Sequence, residues 1–183
     1  MTDTAALKEW GAAVHALLDG RQCVLLRKGG IHEKRFRVAA EGFLLFPTVA
    51  HSHAERVREE HRHLLRPAVQ DSTQTHITVR ASAKVVAAVE VTQPDRIDEL
   101  ADLHIWTHLS VRADRLDFRP KHRLTVLVVA VRPLVEPVRL ERLPQYAGCK
   151  SWVELPLTPA TGAPVRDADM LADVADRVRR SVS

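Results

Sequence analysis

The sequence is poor in the residue types on which several specialised protein classes depend. It contains two cysteines and one tyrosine, and aromatic residues make up only 4% of it. Two cysteines, Cys23 and Cys149, cannot form a disulfide framework, which excludes the disulfide-stapled class of small domain. No basic segment followed by an apolar run opens the chain, and its longest apolar stretch, residues 124–131, is far shorter than the roughly 20 residues that span a bilayer. These features predict a cytoplasmic protein without a membrane segment.

Glycine-rich catalytic motifs are also missing. Only seven glycines are present, and none forms a phosphate-binding loop or a dinucleotide-binding fingerprint. The G-x-S-x-G nucleophile elbow is absent as well. These absences argue against a nucleoside triphosphatase, a Rossmann oxidoreductase and a serine hydrolase.

What remains is the composition of an ordinary globular protein. The chain has 183 residues, of which 45% are hydrophobic and 27% charged, enough for one folded domain. We predict a single domain over residues 4–156, followed at 157–183 by a linker and a C-terminal helix packed on or beside it. Lysine and arginine exceed aspartate and glutamate by 27 to 23, a formal net charge of +4.

The hydrophobic pattern predicts strands that cluster without regular alternation with helices. This order favours an α+β fold, a small mixed β-barrel or curved sheet with flanking helices and a C-terminal helix. The pattern predicts helices at residues 5–18, 50–65, 94–103 and 167–178, and strands at 22–26, 43–46, 76–79, 84–92, 124–131 and 151–155. The Arg132-Pro133 step predicts the end of the strand at 124–131.

The basic charge is concentrated in one segment, residues 21–37. Six cations there face a single acid, Glu33, which gives this segment +5 and leaves −1 for the rest. A glycine pair within it lets the backbone approach a ligand closely, so the segment could follow a phosphate backbone, although a solvated hairpin tip would have the same composition. A tryptophan could stack on a base. The candidate nucleic-acid-binding residues are Arg27, Lys28, Gly29, Gly30, Lys34, Arg35, Arg37, Trp10 and Trp106.

An enzymatic alternative rests on two residues of the same segment. His32 and Glu33 could act as acid–base groups together with a metal, since histidine titrates near neutral pH. The ten histidines otherwise lack the thiolates and the spacing of zinc sites, so we expect no resident metal and no cofactor. Whether the protein is an enzyme stays open.

Four short motifs resemble a bacterial family of unknown function. They are Ala6-Leu7-Lys8-Glu9-Trp10, the stretch Leu25-Leu26-Arg27-Lys28-Gly29-Gly30-Ile31-His32-Glu33, then Phe46-Pro47-Thr48 and Tyr146-Ala147-Gly148-Cys149-Lys150-Ser151-Trp152. Members of that family can occur beside restriction-endonuclease-type domains, and the resemblance therefore implies a link to restriction-modification.

A second resemblance is to PUA-like domains, including the ASCH and EVE groups. A helix ending in Gly20 and leading to a strand with Arg27-Lys28 is similar to their opening elements. The resemblance implies a small mixed barrel that binds RNA or modified DNA bases. The polar segment at 50–65 and the C-terminal helix depart from that pattern.

Three functions follow as expectations. The leading one is a nucleic-acid-binding module that could sense modified bases. The alternatives are a metal-dependent enzyme acting on nucleic acid or nucleotides, and a protein-interaction or regulatory module. No membrane partner is expected, and the sequence leaves the oligomeric state open.

Overall fold

One six-stranded sheet organises the chain, and the computed structural model describes residues 2–29 and 36–183 of it. The strand order is β2-β5-β4-β3-β1-β6. The sheet is curved and does not close into a barrel, which confirms the α+β class predicted from the sequence. The strands are β1 (Thr4–Trp10), β2 (Val24–Lys28), β3 (Gly42–Thr48), β4 (His76–Glu90), β5 (Leu124–Glu141) and β6 (Trp152–Leu155).

Strand pairing is mostly antiparallel. The exception is β1, which runs parallel to β3 and antiparallel to β6. The longest pairing joins β4 to β5 and extends from the Glu90–Thr125 pair to the His76–Glu141 pair. This long ribbon carries the segments between β4 and β5 at one end of the molecule.

Helical segments are short apart from the last one, which has 15 residues. The α-helices are α1 (Gly11–Leu18), α2 (His53–Arg56), α3 (Leu65–Asp71), α4 (His108–Val111) and α5 (Ala168–Val182). The 3₁₀-helices are Glu59–Leu64, Pro94–Leu103 and Pro144–Tyr146, and a π-helical turn spans Arg112–Asp117.

Both faces of the sheet are covered. Alternate residues of one strand point to opposite faces, so Leu25 joins the cluster that includes Val14 and Leu17 of α1, whereas Leu26 joins the cluster that includes Leu171 and Val178 of α5. A third cluster, at the β1–β6 end, centres on Phe46 and includes Leu155 of β6. Helix α5 thus packs with one cluster, whereas α1 contributes to both, since its Ala12 and Ala16 belong to the cluster that includes α5.

The prediction of one helix over residues 5–18 is wrong for its first half. Residues Thr4–Trp10 form β1, and helix α1 begins only at Gly11. Because β1 lies between β3 and β6, Ala6 and Leu7 are both fully buried although they point to opposite faces. A strand that is buried on both faces lacks the alternation of polar and apolar residues by which a strand is recognised in a sequence. The apolar residues of β1 also happen to lie at helical spacing.

The prediction of one helix over residues 50–65 is also wrong. Helix α2 ends at Arg56, where Val57 takes an extended conformation and bridges to Trp106. The chain then continues through a 3₁₀-helix into α3, which includes Pro67. Proline fits there because the first helical turn leaves its N–H groups without intrahelical partners.

The strands of the central ribbon are longer than predicted. The two strands predicted at 76–79 and 84–92 are one strand, β4, with two register irregularities. The predicted end of β5 at Pro133 is wrong as well, since β5 continues to Glu141. Pairing to β4 jumps from Pro133 to Val138, and a bulge of this kind accommodates Pro133 and Pro137 within one strand.

The described residues contain no helix that is long and apolar enough to cross a membrane. The longest helix, α5, is instead amphipathic, with Asp167 capping its N-terminus by accepting a hydrogen bond from the Met170 N–H at 2.7 Å. Its buried residues pack against the Pro94–Leu103 segment and the β4–β5 ribbon.

Candidate functional site

A buried ion pair lies where β1 meets α1. The Arg27 Nη1 donates to Glu9 Oε2 at 3.1 Å and to the Lys8 carbonyl at 3.0 Å. The other carboxylate oxygen of Glu9 accepts the Trp10 N–H at 2.9 Å. Glu9 is 3% exposed, so this pair fixes the junction between the strand and the helix from inside the protein.

Two tryptophans and a histidine pack beside this pair. The Trp10 ring lies 4.7 Å from the His53 ring and 6.0 Å from the Trp106 ring, measured between centroids. The Arg56 guanidinium lies over Trp10 at 5.6 Å and holds Asp114 through two hydrogen bonds of 2.5 and 3.3 Å. The aromatic group is thus joined to the Arg112–Asp117 turn.

Arg115 connects the ion pairs. It lines a small opening of about 10 Å³ together with Trp10 and Arg56. Removal from water lowers the pKa of Arg115, and the adjacent Arg27 and Arg56 cations lower it further, against the opposing effect of Glu9 and Asp114. We call Arg27, Arg56 and Arg115 the inner arginine cluster; its three cations face two carboxylates.

His53 is buried without hydrogen bonds. It is 4% exposed, and neither ring nitrogen has a hydrogen-bond partner among the described residues. Burial lowers the pKa of His53 to about 4, with a smaller effect from the Arg56 cation. The imidazole is therefore neutral at pH 7 and serves as a packing partner of Trp10.

Lys28 joins the basic segment predicted from the sequence to a second basic segment. Its ammonium donates to the carbonyls of Leu116 at 3.2 Å and Arg119 at 3.1 Å, and also to that of Phe118. Arg119 has a φ of +49°, in the left-handed region that is uncommon for residues other than glycine. Lys28 thus holds a strained turn against the end of β2.

The two segments form a groove of about 350 Å³. It is lined by four lysine and arginine side chains, one histidine and two aspartates, which makes it basic, and we call it the basic groove. Two of its arginines have acidic partners, since Arg112 pairs with Asp98 at 3.1 Å and Arg123 pairs with Glu90. Its charged and histidine lining consists of Lys28, Arg112, Arg115, His122, Arg123, Asp95 and Asp117.

An exposed aromatic ring stands beside the basic groove. Phe118 is 56% exposed, and the Arg119 guanidinium lies over its ring at 4.9 Å. This segment was not predicted from the sequence, although residues 112–123 contain five lysines and arginines against two aspartates. A charge count over this window, with Phe118 at its centre, would have found it.

The structure separates the residues that the sequence singled out. Arg27 and Lys28 make the internal contacts described above, Gly29 is buried and Trp106 is 5% exposed. Arg37 is exposed, and its carbonyl accepts the Trp152 indole N–H at 3.1 Å. The remaining predicted residues lie outside the described residues: Gly30, His32, Glu33, Lys34 and Arg35.

Metal ligands do not come together in the part of the chain that the structure describes. Among residues 2–29 and 36–183, no group of three or more His, Cys, Asp or Glu side chains is placed to hold a metal ion. His104 is buried, and its Nδ1 accepts the Trp106 N–H at 3.1 Å.

The fold is of the α+β class, and the sequence identifies the family. The family model described as a domain of unknown function, DUF1802, matches residues 6–177. The chain therefore belongs to the DUF1802 family. No curated protein matches it.

Solved structures of an ASCH protein from Zymomonas mobilis are similar to this chain. One is 14% identical, with a TM-score of 0.47 over 82% of this chain and 86% of the other. Two variants of that protein give TM-scores of 0.44 and 0.43 at 14% and 12% identity, each over 73% of this chain. The matched regions cover 72% and 73% of the two variant chains. Likeness of this degree assigns no ligand or activity to the chain.

Proposed function

We propose that this protein binds single-stranded nucleic acid through the basic groove and the adjacent Phe118. The observation that carries the proposal is the contact of Lys28 with the carbonyls of residues 116, 118 and 119. It joins two basic segments, distant in sequence, at one groove. A cationic groove beside an exposed aromatic ring is the combination that single-strand-binding proteins use.

The chemistry of the groove suits a phosphate backbone. Guanidinium groups match the planar pairs of oxygens that a phosphate offers, and Arg115 of the inner arginine cluster also lines the groove. A volume of about 350 Å³ falls in the range of about 300–1,000 Å³ usual for small-ligand sites, enough for part of a strand rather than a duplex. Phe118 offers an open ring face on which a base could stack.

The inner arginine cluster adjoins the basic groove through Arg115. Arg27 and Arg56 are occupied by Glu9 and Asp114, so in the proposal they hold Arg115 and Trp10 in place and do not themselves bind phosphate. The opening beside Trp10 holds about one water molecule. A base would therefore stack on Phe118 before it could reach Trp10.

Fluorescence anisotropy with labelled single strands tests the proposal. We expect RNA or DNA 12-mers to bind at low salt more tightly than duplexes of the same length. Phe118→Ala removes the stacking surface without emptying the core and should weaken binding by about 1–3 kcal/mol, or about 5- to 150-fold. Lys121→Glu should weaken it through charge reversal beside the groove.

Arg139→Glu is the matched control for charge reversal. Arg139 is exposed at the opposite end of β5, and its substitution changes the net charge by the same amount as Lys121→Glu. Equal losses in the two variants would show only a general charge effect and contradict a specific groove. Absence of binding to every strand at low salt would also contradict the proposal.

The more specific predictions made from the sequence, including the sensing of modified bases, also belong to this proposal. Strands that contain methylated or hydroxymethylated cytosine, compared with unmodified strands, test whether a modified base is sensed. A role in restriction-modification and a cytoplasmic location are retained as predictions, the second supported by two cysteines that are both free.

A further inference from the structure

A second cavity lies away from the basic groove. It has a volume of about 520 Å³ and lies between the sheet and the segment that leads into α5. Three small residues of the sheet, Gly42, Ser82 and Ala130, form part of its floor. They have small side chains or none, so they leave the space above this part of the sheet unfilled.

The roof of this cavity is fixed in place. The segment Thr158–Arg166 is tied to β5 by backbone hydrogen bonds: the Val135 N–H to the Ala160 carbonyl at 2.9 Å, the Gly162 N–H to Pro133 at 2.8 Å and the Val165 N–H to Val131 at 2.9 Å. The Arg132 Nη1 adds a bond of 2.9 Å to the Gly162 carbonyl. An anchored roof over a floor of small residues makes this a formed cavity and not a gap beneath a loose tail.

The charges around the cavity have one sign. Three cations line it, Lys84, Arg132 and Arg166, and no aspartate or glutamate does. The rest of the lining is mainly apolar and includes Phe43, Leu44 and Leu171.

Arg166 is held in place beside the cavity. Its Nη1 donates to the Met170 Sδ at 2.8 Å, and its Nη2 donates to the Gly20 carbonyl. The guanidinium therefore keeps its positive charge in the cavity lining, where it would attract an anion.

We propose that this cavity is a second ligand site, for a small molecule with an apolar body and a single anionic group. The apolar body would lie against the small residues of the sheet, and the anionic group would lie near the Arg166 and Lys84 cations. A cavity of this size fits ligands of ordinary metabolite dimensions. The site is separate from the basic groove and does not depend on nucleic-acid binding.

Calorimetric titration with decanoate, 1-decanol and decyltrimethylammonium tests both parts of the proposal. These three probes share one chain length and differ in the charge of the head group. We expect saturable decanoate binding tighter than about 1 mM, with the alcohol and the cation at least tenfold weaker. Absence of saturable decanoate binding, or equal binding of the three probes, would overturn the proposal.

Two variants locate the site. Ser82→Leu puts a larger side chain on the floor and should abolish decanoate binding, whereas Arg166→Gln should weaken it at least tenfold. Arg180→Gln, on an exposed position of α5 outside the cavity lining, is the matched control and should stay within twofold of the wild type. Undiminished decanoate binding by a folded Ser82→Leu protein would refute the location, and this variant decides the question if Arg166→Gln fails to fold.

Discussion

At the scale of single residues, the ion pair between Glu9 and Arg27 is a buried contact on which stability depends. The two side chains are only 3% and 13% exposed, so water cannot replace either partner. Removal of one charge leaves the other buried and uncompensated. This pair explains why Arg27, predicted from the sequence as a phosphate ligand, serves the fold in the structure.

Glu9→Gln is therefore expected to lower the free energy of unfolding by about 3 kcal/mol, measured by urea denaturation at pH 7. Asp176→Asn is the matched control, because it breaks the exposed pair with Arg179, whose side chain is 53% exposed. That variant should change stability by less than about 1 kcal/mol. Equally small losses of stability in Glu9→Gln and Asp176→Asn would mean that the Glu9–Arg27 pair is not a stabilising contact.

His53 gives the protein a defined response to acid. Burial and the Arg56 cation lower its folded-state pKa from 6.5 to about 4. The unfolded chain therefore binds a proton between these values that the folded protein does not. By linkage, the contribution of neutral His53 to the free energy of unfolding is fully present above pH 6.5 and is lost as the pH falls towards 4.

His53→Phe tests this response. Phenylalanine keeps a ring packed against the two tryptophans and removes the titrating group. Between pH 6 and 5, the free energy of unfolding of the variant should therefore fall by about 1.4 kcal/mol per pH unit less than that of the wild type. Urea denaturation at several pH values measures the slope. His104, whose pKa burial also lowers to about 4, should keep part of the slope in both proteins. Identical slopes would contradict the assignment to His53.

At the scale of elements, the contact between α1 and α3 depends on a glycine. A Cβ at Gly11 would lie 2.8 Å from the Ala68 Cβ and 3.2 Å from its Cα, closer than packed atoms allow. Gly11 therefore sets the distance between the two helices, although glycine is normally unfavourable within a helix.

Gly11→Ala should lower stability by about 1–3 kcal/mol through overpacking, despite the better helix propensity of alanine. Thermal unfolding followed by circular dichroism measures the change. Gly42→Ala serves as the control, because nothing lies within 4 Å of its added Cβ, and it should leave the melting temperature nearly unchanged. A stabilised Gly11→Ala protein would refute the close contact.

The elements that the sequence predicted well are those with one dominant local signal. The strand at residues 124–131 and the helix ending the chain were found because β-branched runs and amphipathic spacing are local properties. Strand β1 was missed because its burial on both faces depends on β3 and β6, which are distant in sequence. The continuation of β5 past Pro133 likewise depends on its bulge opposite β4.

The candidate site was predicted only in part for the same reason. Arg27 and Lys28 were recognised as part of a basic segment. The sequence does not show that Glu9 neutralises Arg27, or that Lys28 is held by the backbone carbonyls of residues 116, 118 and 119. The second basic segment, residues 112–123, carries no recognised motif. Its importance appears only when Lys28 brings it beside the end of β2.

At the scale of the whole molecule, the protein has two distinct candidate binding surfaces. The segments at one end of the β4–β5 ribbon form the basic groove, and the C-terminal segment and the sheet together line the apolar cavity. The formal charge of +4 is small for a nucleic-acid-binding protein, so its placement matters more than its total. Our central claim is that two basic segments, joined by Lys28, form one phosphate-binding groove.

The salt dependence of single-strand binding tests this claim most directly. Each phosphate neutralised on a single strand contributes about 0.7 to the slope of log K against log salt concentration. Three or four contacts in the groove predict a slope of about −2 to −3 for the wild type. Lys121→Glu should make the slope shallower by at least about 0.7, whereas Arg139→Glu should leave it unchanged. A wild-type slope near zero, or the same slope in all three proteins, would contradict the claim.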